Sequence, residues 1–213
     1  MAAAPRRAGR PRNPVPRERL LDVARDAFAE LGYAGASMNE IAGRAGIRKS
    51  SLFHHFANKD ALYLEAVGAT LAPLGVEVVA AATGDGDFGA RLDRLGEAVS
   101  GYLGANPQAA RLLVREVLDR GPFVVGDGRG AVEALLVTIR DFLAAGMSDG
   151  AILRQDAEHL TLSIIAVHLF YFAAQPLAEP LVGADLFTQD AVAMRMSAVS
   201  RQIRALVGVP VLQ

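Results

Sequence analysis

Residues 48–55, Arg48-Lys49-Ser50-Ser51-Leu52-Phe53-His54-His55, place two cations, two hydroxyls and two imidazoles on about two helical turns. Arg and Lys donate to phosphate oxygens and to the guanine edge, and serine adds short hydrogen bonds without bulk. Such a segment could meet the grooves and backbone of a nucleic acid. Bond-making chemistry has little to work with elsewhere. The chain has no Cys, and its four histidines, His54, His55, His159 and His168, form no HxxxH or HExxH pair. His54 and His55 are neighbours, about 100° apart on a helix, and cannot chelate one ion together. Asp156, Glu158 and His159 cluster, but at a helix start, where acids are expected for capping. No Ser-His-Asp grouping or glycine-rich phosphate loop stands out. We expect no enzyme, no metal and no cofactor.

The elements around this segment position it. Leu20, Ala24, Ala27, Phe28 and Leu31 recur at helical spacing, and Gly32 stops that helix. Ser37 is a good N-cap, and Glu40 three positions on completes a capping-box pattern. Ile41, Ala42 and Ala45 give the short second helix an apolar face, and Gly46 supplies a left-handed turn. On the third helix, Leu52, Phe53 and Phe56 are expected to face inward, Ser50 and His54 outward, with Ser51 at the flank. Asn58 caps a fourth helix, about 59–82, which Pro73 and Gly75 are expected to kink or break. From the turn alone, a groove reader and an ordinary helical hairpin with a solvated face are both open.

Charge favours the first. Residues 1–60 hold 11 Lys and Arg against 6 Asp and Glu, whereas the remainder holds 11 against 17. The basic part coincides with the candidate reader, as the electrostatic footprint of a DNA-binding unit requires. Beyond Gly84-Asp85-Gly86-Asp87, helices are expected at about 88–104, 107–120, 129–147, 156–175 and 188–208, separated by glycine and proline punctuation that includes Pro176 to Pro180. The fold class is all-α. The longest apolar run, Leu160 to Ala174, is too short for a membrane span. No apolar core follows the N-terminal arginines, so no signal peptide is expected and the cytoplasm is the expected location.

Gly32-Tyr33, Ser37, Ile41-Ala42, Ala45-Gly46-Ile47, Leu52-Phe53-His54-His55-Phe56 and Asn58-Lys59-Asp60-Ala61-Leu62 together resemble the TetR family of bacterial transcriptional regulators. The resemblance covers about residues 17–65 without a gap. After a Pro-, Arg- and Ala-rich basic arm at 1–16, it implies a three-helix helix-turn-helix domain at 17–63 and a larger helical ligand-binding and dimerisation domain at 64–213. It also implies a homodimer on palindromic double-stranded operator DNA and a small-molecule effector that releases it. By position, Lys49, Ser50 and Ser51 fall where the family contacts bases, and Phe53, His54 and His55 where it contacts the backbone. Ser37 and Lys59 match phosphate-contacting helix starts. Two residues depart from the pattern. The family has Tyr where this chain has Phe53, which cannot donate to a phosphate, and Ser where it has Arg48. Arg48 is either an added phosphate or guanine contact or a solvated charge. The arm, with Arg6, Arg7, Arg10 and Arg12 around Gly9-Arg10-Pro11, resembles an AT-hook, whose arginines enter a narrow minor groove. A disordered solubilising tail is the alternative.

In the C-terminal part a ligand pocket and a core are built from the same apolar residues. The candidate ligand contacts for a small apolar or amphipathic molecule are Tyr102, Leu113, Val117, Leu136, Ile139, His168 and Tyr171. The segment 156–175 is apolar almost all round and needs cover on every side, which a second copy would supply. Ile164, Ile165 and Phe172 there, with Met196, Val199 and Ile203 on the last helix, are the candidate dimer contacts.

Overall fold

The caps and glycine turns divide the chain into helices. The computed structural model describes residues 15–208. Among these residues there is no strand, and the helices are α1 (Arg17–Gly35), α2 (Met38–Arg44), α3 (Lys49–His55), α4 (Lys59–Thr83), α5 (Phe88–Ala105), α6 (Ala109–Leu118), α7 (Pro122–Val125), α8 (Arg129–Ser148), α9 (Ala157–Ala173), α10 (Gln175–Val182) and α11 (Gln189–Val207). The arm residues Arg6, Arg7, Arg10 and Arg12 lie outside the described residues.

The helical spacing of Leu20, Ala24, Ala27 and Phe28 becomes the buried face of α1. Gly32 bends the helix, with φ of 72°, and a last turn beyond it carries Tyr33. The α1 face packs against Ile41 of α2, Leu52 and Phe56 at α3, and Leu62, Tyr63 and Val67 of α4. The same cluster takes in Leu112 and Leu113 of α6 and Phe123 of α7: α4 and α6 pack on α1, and α7 packs on α4. A second cluster joins Val78 and Ala81 of α4 to Leu92, Ile139, Phe142, Leu143, Ile164, Val199 and Ile203. A third gathers Leu103, Ala110 and Phe172, with Val192 and Phe187 alongside.

Several expectations change. Pro73 and Gly75 neither break nor end α4, which runs through to Thr83. Pro73 and Ala69 are both solvent-exposed, so the carbonyl that loses its bond to the proline can be hydrated. The Pro176 to Pro180 stretch is not a loop but α10, bent 79° from α9, with a proline in its first turn where no intrahelical N–H is needed. The 107–120 helix is shorter and is followed by the single turn α7.

The candidate dimer contacts divide by helical face. Ile164, Val199 and Ile203 are buried within the chain against α5 and α8, and Phe172 against α5 and α6, so none of the four can face a partner. Ile165 and Met196 are half-buried. The opposite faces of α9 and α11 instead expose Leu162, Phe170 and Met194, and α10 exposes Leu177 and Leu181. The sequence stripe is real, but it marks the inward side.

Candidate nucleic-acid interface

At seven residues α3 is too short to hold its shape alone, because isolated helices below about 12–15 residues are marginal. It is fixed from both ends and from beneath. Beneath, Leu52 and Phe56 are fully buried, each contributing roughly 1.5–3 kcal/mol. At its entrance, α2 ends in a Schellman turn. Ile47 N–H donates to Ala42 C=O at 3.0 Å and Gly46 N–H to Gly43 C=O at 3.1 Å, with Gly46 at φ of 68°. At its exit, Arg17 Nη1 donates to the His55 carbonyl at 2.6 Å. The same guanidinium grips both carboxylate oxygens of Glu65 on α4, at 3.0 and 2.5 Å, and lies 4.3 Å over the Phe56 ring. Arg17 therefore ties α1, α3 and α4 together.

The face left outward carries Arg48, Lys49, Ser50, Phe53, His54 and His55, all exposed, with Ser51 half-buried at the flank. Phe53 does not join Leu52 and Phe56 inside. It is 42% exposed, about 100° round from Leu52, with Lys49 Nζ 5.8 Å from its ring. Arg44 is already paired with Glu30 at 2.7 Å and Glu40 at 2.9 Å. Arg48 and Lys49 have no acidic partner among the described residues, which leaves their charge available to an outside anion.

Ser37 and Lys59 stand at helix starts. Ser37 Oγ accepts from Glu40 N–H at 3.2 Å, but the Glu40 carboxylate turns to Arg44 instead of closing the box. Asn58 caps α4, accepting from Ala61 N–H at 2.8 Å. Lys59 Nζ sits 4.3 Å over Tyr33, whose hydroxyl donates to Asp60. That bond holds the Tyr33 hydroxyl above its ordinary pKa.

The candidate ligand residues are spread over the three clusters, with Tyr102 bordering both the first and the third. Leu113 belongs to the first cluster, Ile139 to the second, and Tyr171 borders the third. Tyr102 donates to the Thr70 carbonyl at 3.0 Å, and Leu136 is half-buried. Val117 is 63% exposed, because α6 buries its other side. His168 is buried and shares a hydrogen bond of 3.1 Å with Ser100. Burial, aided by the charge of Arg195, lowers its pKa to about 4. A groove of about 420 Å³ between α5 and α11 is lined by residues that include Asp93, Glu97, Met196 and Ser200.

Sequence reasoning passed over Arg17 and Glu116. Nothing local marks Arg17, whose partners lie 38 and 48 residues away. Glu116 had a signal, since it follows Leu112 by four and Leu113 by three and so lies on their buried face.

Known proteins agree with this layout. Residues 20–66 match the family described as bacterial regulatory proteins, tetR family, and residues 90–203 match the tetracyclin repressor-like C-terminal domain. The chain is 29% identical over 174 residues to the HTH-type transcriptional regulator RutR of Escherichia coli K12, covering 78% of each chain. It is 28% identical over 159 residues to the HTH-type transcriptional activator FasR of Mycolicibacterium smegmatis, covering 73% of this chain and 71% of that one. The solved structure of AibR with isovaleryl coenzyme A and operator DNA superposes with a TM-score of 0.67 at 16% identity, over 88% of this chain and 97% of that one. The chain belongs to the TetR family and is a DNA-binding transcriptional regulator.

Proposed function

We propose that the chain is a homodimeric repressor that a small molecule releases from a palindromic operator. The carrying observation is the braced, outward face of α3, where Arg48 and Lys49 have no acidic partner among the described residues and Ser50 is exposed. Lys49, Ser50 and Ser51 read base edges in the major groove, and His54 or His55 meets the backbone. Ser37 and Lys59 hold flanking phosphates, and the arm arginines add affinity from the minor groove. The exposed Leu162, Phe170 and Met194 support dimerisation through α9 and α11. The effector is a small apolar or amphipathic molecule held in the C-terminal domain. Support for such a ligand comes from AibR, whose structure contains an acyl-coenzyme A together with operator DNA. The effector releases DNA by preferring a different spacing of the two recognition helices, set through α4. Activation is the second reading, because FasR carries that name. The protein works in the cytoplasm, beside the DNA it reads, and the regulators it resembles speak against an enzymatic role.

The test is a gel-shift panel against the DNA upstream of its own gene, followed by metabolite screening for release. A retarded band lost on adding one metabolite supports the reading. A retarded band that survives every candidate effector, while transcription rises with the protein present, favours activation.

A further inference from the structure

The DNA-reading unit meets the C-terminal helices mainly through apolar contacts, with a buried polar group set among them. Glu116 of α6 is 3% exposed and has no cationic partner among the described residues. Its carboxylate is held by two donors. The Tyr63 hydroxyl, from the first turns of α4, donates to Oε2, and the Val124 N–H of α7 donates to Oε1 at 2.6 Å. Tyr63 is itself wedged into the reading unit, edge-on to Phe28 at 4.7 Å and to Tyr33 at 4.9 Å. Burial, with the Glu116 bond second, pushes the phenol far above its ordinary pKa, so it stays a donor. The chain after α6 is shaped around this carboxylate. A Cβ on Gly121 would lie 2.0 Å from Oε2.

A buried carboxylate without a cation is costly unless its hydrogen bonds are kept, so the three groups are held to one arrangement. Apolar packing between helices can slide by fractions of an ångström at little cost, whereas this bond is lost abruptly. We infer that Glu116 is a positioning residue for operator binding: through Tyr63 it makes the pose of the reading unit depend on the pose of α6 and α7. The inference rests on the DNA-binding reading above. It adds which bond carries the coupling.

Coupling between sites is reciprocal, so DNA can serve as the probe without an identified effector. The experiment measures amide hydrogen exchange across residues 109–125 of the full chain, with and without an operator duplex selected in vitro. Two variants are compared with the wild type. Tyr63→Phe keeps the ring contacts and drops the hydroxyl. Tyr63→Phe with Glu116→Met removes both halves of the Tyr63 bond and leaves no carboxylate short of a donor; it also frees the half-buried Val124 N–H, so exchange is read on α6 and not at that amide. DNA is expected to slow exchange at the end of α6 in the wild type, by on the order of fivefold or more. In both variants DNA binds more weakly, and at saturating DNA this slowing disappears. A merely structural role would shift the unfolding midpoint and leave the DNA-linked slowing in place. Slowing that persists in the double variant, or that is missing from a DNA-bound wild type, overturns the inference. A wild type that binds no duplex at all overturns the regulator reading with it.

Discussion

Replacing Arg17 with methionine separates bracing of the recognition helix from direct contact with DNA. Methionine keeps much of the aliphatic stem and removes three interactions. The ion pair with Glu65 is solvated, with side chains 43% and 37% exposed, and contributes about 0.5 kcal/mol. The bond to the His55 carbonyl at the end of α3 contributes about 1 kcal/mol after the same allowance for solvent. Stacking over Phe56 adds about 0.5–1 kcal/mol. The total of about 2 kcal/mol caps the effect on operator affinity at roughly 30-fold, reached if all of it is needed to hold α3 in its reading pose. Urea unfolding should show the stability loss, and binding to an in vitro selected operator should weaken in parallel. The salt dependence should not change, because the guanidinium is committed inside the protein. Deleting residues 1–14 gives the reverse pattern, with stability kept and the slope of log K against log salt reduced by about 0.9 for each arginine that meets a phosphate. An Arg17→Met protein of unchanged stability whose salt slope falls by about one would refute the brace and make Arg17 a phosphate contact.

Three further outcomes follow from the same contacts. Phe53→Tyr restores a donor on an exposed ring and should tighten operator binding by roughly fivefold, about 1 kcal/mol, by gel shift; unchanged affinity would mean that no phosphate lies in reach. Phe170→Glu puts a charge on the exposed face of α9 and should leave a folded monomer in analytical ultracentrifugation, whereas an intact dimer would move the interface elsewhere. His168→Gln should flatten the acid side of stability. Folded His168 refuses a proton until about pH 4, while the unfolded chain accepts one below about 6.5. Wild-type stability therefore falls by about 2 kcal/mol more than the variant's between pH 7 and pH 5, and levels off below pH 4. Equal losses in the two proteins would remove His168 as the cause.

The helix-turn-helix was legible because its determinants are local. Ser37, Gly46 and Asn58 act on residues within a few positions, and each does in the structure what its type implies. Leu52 and Phe56 sit four apart and both go inside, while Phe53 shows the limit of the rule at the edge of a two-turn helix. In the C-terminal part the apolar stripes were visible but their sides were not. On α9 apolar residues occur all round, so period alone cannot say that Ile164 and Phe172 face the core and Phe170 the outside. Contacts bridging tens of residues, such as Arg17 with Glu65 and Tyr63 with Glu116, depend on how whole helices cross, and no local pattern encodes that. Pro73 misled because a proline on the wet side of a long helix costs less than one facing the core.

The most direct test of the account is in vitro selection of duplex DNA by the purified full chain, followed by footprinting on the selected site. The reading of α3 as the groove-facing helix of a symmetric regulator predicts an inverted repeat. Its two half-sites should be protected about one DNA turn apart, or a whole number of turns. Enrichment of no sequence, with no retarded complex at low salt from a folded protein, would contradict it.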